Sequence, residues 1–402
     1  MQTERKTDLR FTISRRNFLG SMLAAATLGL PQSAYAALTT IKPFSFAVIS
    51  DAHLTHGLDD TYYLYKESQL FLQDAVKTIN SLNLDFVVFV GDMIESPGKD
   101  EVNWNLFIDI MQTLNCRWDF VLGESDITSS SDAEKMRMFG PDWKGRDFDN
   151  TAPYWSYNFA NNVHLIGLDT SKYNSKSGFV SDEQLEWLKK DLASHTSQFT
   201  IVFSHHPTLP PSPYDGGPPF SDYDITNGAS VREILAGSPD VKLAISGHVP
   251  VNAIQKESSI YYASCPSLIV YPCGFKVFRV SNNEIRMETH HISFKGLVKK
   301  AEKALLESSF AYSYHKKNPR DFVKLCEGGP MDRDSVLPLY GGMTPQPVHP
   351  HKDKVDKKPS AAPAATNAPD GESGSQTAGT QPTDTKKNEK PKRTWYGTKK
   401  KN

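Results

Sequence analysis

The sequence predicts an α/β fold with parallel strand pairing, and three observations carry that prediction. Short, wholly apolar runs such as Phe46-Ala47-Val48-Ile49 and Phe86-Val87-Val88-Phe89-Val90 have the length and continuity of strands buried on both faces. Segments with helical periodicity separate them, at the spacing of strand–helix–strand units. Each run also stops at a carboxylate or an imidazole, and the crevice beyond the carboxyl ends of such strands is where open α/β sheets bind ligands.

In order, the first strand ends in Ser50-Asp51-Ala52-His53. Thr61–Leu82 follows as a helix, with Leu70, Phe71, Ala75, Val76 and Ile79 spaced onto one face. The second strand ends in Gly91-Asp92. A helix around Glu101–Leu114 leads to a third strand, Trp118–Leu122, which ends in Gly123-Glu124-Ser125-Asp126. Tyr154–Phe159 and Val163–Leu168 read as two strands around the turn signal Asn161-Asn162. A helix opens at Ser181 or Asp182 as cap, and the strand Thr200–Ser204 then ends in His205-His206-Pro207. The Pro-, Gly- and Tyr-rich stretch Pro207–Asp224 has no periodicity and reads as a lid or substrate loop, with Tyr214 and Asp215 as turn residues.

Val231–Leu235 is helical by pattern, and the strand Val241–Ser246 ends in Gly247-His248-Val249-Pro250. Ser259–Ala263, Phe275–Val280 and Ile285–His291 suggest a final antiparallel set. Leu297 to Lys316 has the pattern of an amphipathic helix, and Pro319–Leu339 that of an irregular extension. From Pro345 the chain is too poor in apolar residues to bury a core and reads as disordered. The expected organisation is a leader over residues 1–36, a catalytic-type domain over 37–294, a helical extension over 295–344 and a basic tail over 345–402.

The formal net charge of −1 hides a division. Residues 1–36 carry +3 and residues 345–402 carry +6, which leaves −10 on residues 37–344. An acidic body argues against a stable nucleic-acid partner, because duplex binders neutralise phosphates with a basic face. It is compatible with small phosphorylated ligands if bound metal ions supply the positive charge. The tail Lys386–Lys401, with Trp395 and Tyr396 embedded, reads either as solvated or as a contact for an anionic surface or acidic protein.

At the N-terminus, Ser14-Arg15-Arg16-Asn17-Phe18-Leu19, an apolar run to Leu30 and the triplet Ala34-Tyr35-Ala36 are similar to a twin-arginine (Tat) signal peptide. The thirteen-residue run Phe18–Leu30 falls short of the roughly 20 needed to span a bilayer, so no membrane partner is expected. The resemblance implies passage through the Tat translocase and a periplasmic or extracellular location. Of the cysteines, Cys116, Cys265, Cys273 and Cys326, none forms a Cys-x-x-Cys pair. An oxidising compartment leaves open a bridge between Cys265 and Cys273, with four free thiols as the alternative.

The strand ends together offer Asp51, His53, Asp92, Glu124, His205 and His248, the ligand types of zinc, manganese and iron sites. In this order they form Asp-x-His, Gly-Asp, a block similar to Gly-Asn-His-Asp, a histidine after a strand, and Gly-His. The chain from Phe44 to His291 thereby resembles the calcineurin-like metallophosphoesterase superfamily, which includes purple acid phosphatases and class III cyclic nucleotide phosphodiesterases. The resemblance implies a four-layer fold of two mixed β-sheets sandwiched between α-helices. It implies one or two divalent or trivalent metal ions (Fe, Mn or Zn), with Asp51 and His53 on the first, Asp92 bridging, and Glu124, His205 and His248 on the second. One carboxylate can hold two cations about 3.5–4 Å apart. The implied activity is hydrolysis of phosphomonoesters or phosphodiesters by attack of a metal-bound hydroxide.

Three positions depart from the family pattern: Glu124 replaces asparagine, Ser125 replaces histidine, and Pro250 replaces the second histidine of Gly-His-x-His. An anionic ligand at 124 can still bind metal, whereas a serine hydroxyl is a poor acid at neutral pH and proline offers no ligand. Ser125, Asp126 and His206 are the candidate catalytic side chains, with His206 placed to reach the phosphate or the leaving group and Asp126 without the histidine it would orient. His56, His290 and His291 read as surface, core or supporting residues. The departures imply reduced activity; the alternative is a catalytically decayed binding protein on the same fold.

Overall fold

The computed structural model describes residues 41–95, 101–139, 152–160, 162–212, 223–314, 316–339 and 345–347. The signal-peptide reading, Tyr214 and Asp215 of the lid reading, and the tail beyond Pro347 lie outside the described residues.

The chain opens with β1 (Phe44–Ile49), α1 (Ser68–Ser81), β2 (Phe86–Val90), α2 (Glu101–Met111), β3 (Arg117–Val121) and α3 (Asp132–Phe139). Then come β4 (Trp155–Ala160), β5 (Val163–Gly167), α4 (Asp182–Ser194), β6 (Phe199–Phe203), α5 (Gly228–Ala236), β7 (Val241–Ser246), β8 (Ala253–Glu257) and β9 (Ile260–Ser264). The last stretch holds β10 (Gly274–Val280), β11 (Glu284–His291), α6 (Lys295–Leu306), α7 (Ser309–Tyr314), α8 (Pro319–Glu327), α9 (Pro330–Arg333), β12 (Ser335–Pro338) and β13 (Gln346–Pro347).

Two mixed sheets result, one in the order β13-β12-β11-β10-β1-β2-β3 and the other β4-β5-β6-β7-β9-β8. The pairs β1–β2, β2–β3, β5–β6, β6–β7 and β7–β9 are parallel, as the strand–helix alternation predicts. The strands β2, β5 and β6 are buried at every residue, which requires cover on both faces. Part of that cover is the opposite sheet. Phe46 stacks along its own sheet on Phe86 and Phe278, each 4.9 Å away, and meets Phe203 of the other sheet edge-on at 6.0 Å. Trp155 closes the same interface by donating Nε1–H to the Phe120 carbonyl at 2.8 Å.

Helices supply the rest. On the first sheet's side, α1 buries Phe71, Leu72, Ala75, Val76 and Ile79. Over the second sheet, Leu188, Leu192, Val231 and Leu235 of α4 and α5 pack on Ile166, Val202 and Ala244. The architecture is therefore the expected α/β four-layer sandwich. Ser181 caps α4 through a bond from the Gln184 amide at 3.2 Å.

Several expectations are corrected. The strand at 259–263 does not join the late antiparallel set: β9 runs parallel to β7 and forms a hairpin with β8, whose half-polar Ala-Ile-Gln-Lys-Glu carries no strand signal. Of the expected set, β10 and β11 do pair antiparallel, in the first sheet. The long helix expected to Lys316 breaks after Leu306, where Ser308 Oγ accepts the Ala311 amide at 3.1 Å and starts α7. The stretch 319–339 is ordered into α8, α9 and β12, and β12 extends the first sheet beside β11. The helix expected from Thr61 begins only at Ser68, because Tyr62, Tyr63 and Tyr65 turn their rings toward neighbours outside it. All four cysteines are free thiols, and Cys265 donates its Sγ–H to the Val48 carbonyl at 3.2 Å.

Candidate metal centre

The β1–β2 ladder runs on past both strands. The Asp51 amide donates to Gly91 O at 3.1 Å and the His53 amide to Asp92 O at 2.9 Å, so both loops arrive side by side. At Asp51, His53, Asp92 and His248 the backbone adopts positive φ, between 39° and 63°. Such non-glycine residues are uncommon and cluster where geometry serves a site. Gly91 is needed at φ +84°, where a Cβ would also collide with the His205 ring. At Gly123 a Cβ would overlap the Asp92 carboxylate, so the β3 end can approach only as glycine.

Asp51, His53 and Asp92 form the first group. His53 Nε2 stands 3.8 Å from Asp51 Oδ1 and 3.5 Å from Asp92 Oδ2. Its other nitrogen lies 2.7 Å from Glu95 Oε2, a partner that sequence reasoning missed. Asp51 Oδ2 accepts the Ser50 hydroxyl and, at 3.1 Å, the His248 amide. Burial pushes the His53 imidazole down, but Asp92, Asp51 and Glu95 outweigh it and hold His53 well above its usual range.

Around Glu124 lies the second group. Glu124 Oε2 is 2.9 Å from His205 Nε2 and 3.5 Å from His206 Nε2, and Oε1 is 3.2 Å from His248 Nδ1. His205 Nε2 also reaches Asp92 Oδ2 at 3.5 Å, so one Asp92 oxygen faces a histidine of each group. His205 Nδ1 bonds to Val90 O at 2.7 Å, and His206 Nδ1 pairs with Thr170 Oγ1 at 2.9 Å; both rings thus turn Nε2 inward. Burial raises the Glu124 carboxyl, yet His248 and His205 bring it well below the usual range. Burial and the His248 charge hold the His206 imidazole well below its usual range.

All six expected ligands therefore come together, and His206 joins them. Asp126 faces elsewhere: its oxygens accept the amides of Asp92, Met93, Ile94 and Gly123 at 2.8–3.1 Å, clamping two strand ends. Ser125 donates its backbone amide to Asp92 Oδ1 at 2.9 Å. His56 is exposed and pairs with Asn103 Oδ1; His290 stacks on Phe275, and His291 Nδ1 donates to Pro272 O at 3.2 Å. Val249 and Val251, on either side of Pro250, are buried with Phe322 and Cys326 of α8.

His206 Nε2 and His248 Nε2 are buried without a hydrogen bond among the described residues. Buried polar atoms left unpaired in this way are costly, and a metal ion satisfies them. One ligand atom from each of Glu124, His205, His206 and His248 lies within 4.8 Å of the others, and the same holds for Asp51, Asp92 and His205; these donor types suit zinc, manganese or iron. A further cluster, His164, Asp191 and His195, lies at β5 and α4, where His164 Nε2 and the Ser156 hydroxyl already bond to the Asp191 carboxylate.

An α/β sandwich with carboxylates and imidazoles gathered at its strand ends defines a class of metal-dependent hydrolases. The sequence profile of calcineurin-like phosphoesterases matches residues 44–252, and the chain belongs to that family, within the phosphoesterase hydrolases. It is similar to a probable cyclic nucleotide phosphodiesterase of Moraxella catarrhalis, 24% identical over 57% of this chain and 80% of that protein. A cAMP/cGMP dual specificity phosphodiesterase of Mycobacterium tuberculosis is 27% identical, over 50% of this chain and 60% of its own length. Among solved structures, a dimetal phosphatase from Danio rerio shares the fold, with a TM-score of 0.50 and 18% identity over 62% of this chain and 96% of that one.

Proposed function

We propose that this chain is an exported, metal-dependent phosphoesterase that hydrolyses small phosphomonoesters or phosphodiesters. The single observation that carries the reading is the Asp92 carboxylate, one oxygen of which lies 3.5 Å from both His53 and His205. Asp51 and His53 would hold one metal ion, Asp92 both, and Glu124, His205 and His248 the other, with His206 alongside. Metal ions there supply Lewis acidity toward phosphate oxygens and make water more acidic.

The chain's own residues do the positioning. The Val90 carbonyl fixes the His205 tautomer, Glu95 does the same for His53, and Thr170 holds His206. Asp126 keeps the β2 and β3 ends at one spacing. Ser125 offers no acid for a poor leaving group, which supports reduced activity biased to good ones. Export is supported by the Arg15-Arg16 motif, and a phosphodiester substrate by the names of the relatives.

The test strips the full chain with chelator, reloads it with Mn2+, Zn2+ or iron, and assays aryl phosphates and aryl diesters beside alkyl ones. Metal-dependent turnover, faster on aryl esters, is expected. A Ser125→His variant should gain rate on the alkyl esters. Turnover that survives chelation, or none under any metal, would refute the reading.

A further inference from the structure

We propose that His164, Asp191 and His195 form a further metal site, separate from the candidate centre, which takes one zinc ion and ties α4 to β5. The cluster stands at the other end of the strands. His164 pairs in register with Thr200 of β6, and five residues at about 3.3 Å each separate Thr200 from His205, so the two sites lie on the order of 16 Å apart. From β5 the His164 ring reaches the helix layer, where α4 and the residue that ends it supply Asp191 and His195 about one turn apart. One ligand atom from each of the three lies within 4.8 Å of the others. The two imidazoles lie nearly flat on each other, with centroids 3.8 Å apart and planes 13° from parallel.

The protons of the cluster do not match its acceptors. His164 Nδ1 faces the Asn158 side-chain oxygen at 3.0 Å, and Nε2 faces Asp191 Oδ2 at 2.7 Å. A neutral imidazole has one N–H, so it satisfies one of these oxygens and turns its lone pair on the other. No proton comes from the neighbours: the Ser156 hydroxyl donates to Asp191 Oδ1 at 2.6 Å, and His195 Nδ1–H donates to the Asp191 carbonyl at 2.8 Å. With Nδ1–H on Asn158, the His164 lone pair meets a carboxylate oxygen, as His205 Nε2 meets Glu124 at 2.9 Å in the candidate centre. A cation between the two satisfies both, and Asn158 then sets the His164 tautomer as the Val90 carbonyl does for His205. Two imidazoles and a carboxylate, with water in the fourth position, make a zinc-type site. The His164 and Asp191 side chains are 0% and 7% exposed, whereas His195 is 25% exposed and gives the ion a way in. Having fewer protein ligands than the centre, this is the weaker site. It fills when free Zn2+ is supplied and empties in metal-free dialysis.

The experiment equilibrates the full chain with graded free Zn2+ and counts the metal bound, in the parent and in His195→Gln, a change at the partly exposed ligand that leaves the His164–Asp191 pair intact. At the top of the series His195→Gln should hold one zinc fewer than the parent, and Asp191→Asn, which keeps the shape of the pair, should do the same. A second measurement removes the centre's contribution by working in Asp92→Asn. There Zn2+ should still raise the thermal unfolding midpoint, and adding His195→Gln should abolish the rise. Equal zinc binding by the parent, His195→Gln and Asp191→Asn overturns the site, as does an Asp92→Asn midpoint that ignores Zn2+. Any turnover of aryl phosphate should be the same in His195→Gln as in the parent, and a loss there overturns the separation of the two sites. The zinc count reads the same whether or not the chain hydrolyses a phosphoester.

Discussion

His53 and His205 both approach the same Asp92 oxygen, and each is held there by a partner on its other ring nitrogen. For His205 the partner is a backbone carbonyl, which no side-chain substitution removes. For His53 it is Glu95, so this half of the centre is open to a direct test. Glu95→Gln removes the carboxylate charge and should weaken metal binding at the Asp51–His53 half about 10–100-fold, read as metal content after dialysis at graded free metal. Equal retention in the variant and the parent would contradict the assignment. Asp126 makes a different prediction. Replacing it by alanine strands four backbone amides, those of Asp92, Met93, Ile94 and Gly123, in a buried place. Each unsatisfied buried donor is expensive, so Asp126→Ala should lower stability by about 3 kcal/mol or more in urea unfolding. Asp126→Asn, which keeps one accepting oxygen, should cost less.

At the scale of elements, β10 carries an unusual occupant. Lys276 is fully buried, and its ammonium donates to the Asp332 carbonyl at 2.7 Å and to Thr289 Oγ1 at 3.4 Å. Burial pushes it down to about 8, against the opposing pull of Cys265, Asp332 and Asp334. Below that pH both folded and unfolded chains hold the proton, and the folded state bears the full cost of a buried charge. Between about 8 and about 10.4 the unfolded chain binds more protons than the folded one, so stability rises with pH, by up to about 3 kcal/mol. Unfolding midpoints from pH 7 to 10.5, taken as the difference from Lys276→Met, should show that rise, and a flat difference would refute it. The elements that tie the C-terminal region to the body were also the least legible ones. β12 is a four-residue strand, Ser-Val-Leu-Pro, and its sheet neighbour rather than its composition makes it a strand. Tyr62, Tyr63 and Tyr65 suit a helical spacing, yet contacts with His53 and Phe310 hold them outside α1.

For the molecule as a whole, the buried strands and the candidate ligands at their ends were legible because one physical rule produced both signals, while the two-sheet arrangement came from the family resemblance. A strand buried on both faces is apolar throughout, so the first polar residue after it marks the sheet's edge and faces the crevice. Asp51, Asp92, Glu124, His205 and His248 all lie within four residues of a strand's last residue, and the fold brings them together. Glu95 was not readable in this way, since a carboxylate three residues beyond Asp92 in a loop has no pattern to distinguish it from surface charge. Nor could spacing have shown that Val249 and Val251, around the missing ligand position at Pro250, would be buried against α8. The central claim is that these residues hold catalytic metal, and it is tested most directly by metal content. Protein purified from its native host should carry about one to two equivalents of metal per chain, and Asp92→Asn, which weakens the carboxylate that both groups share, should lose most of it. A wild-type chain that is metal-free, or an Asp92→Asn chain with an unchanged metal content, would contradict the account.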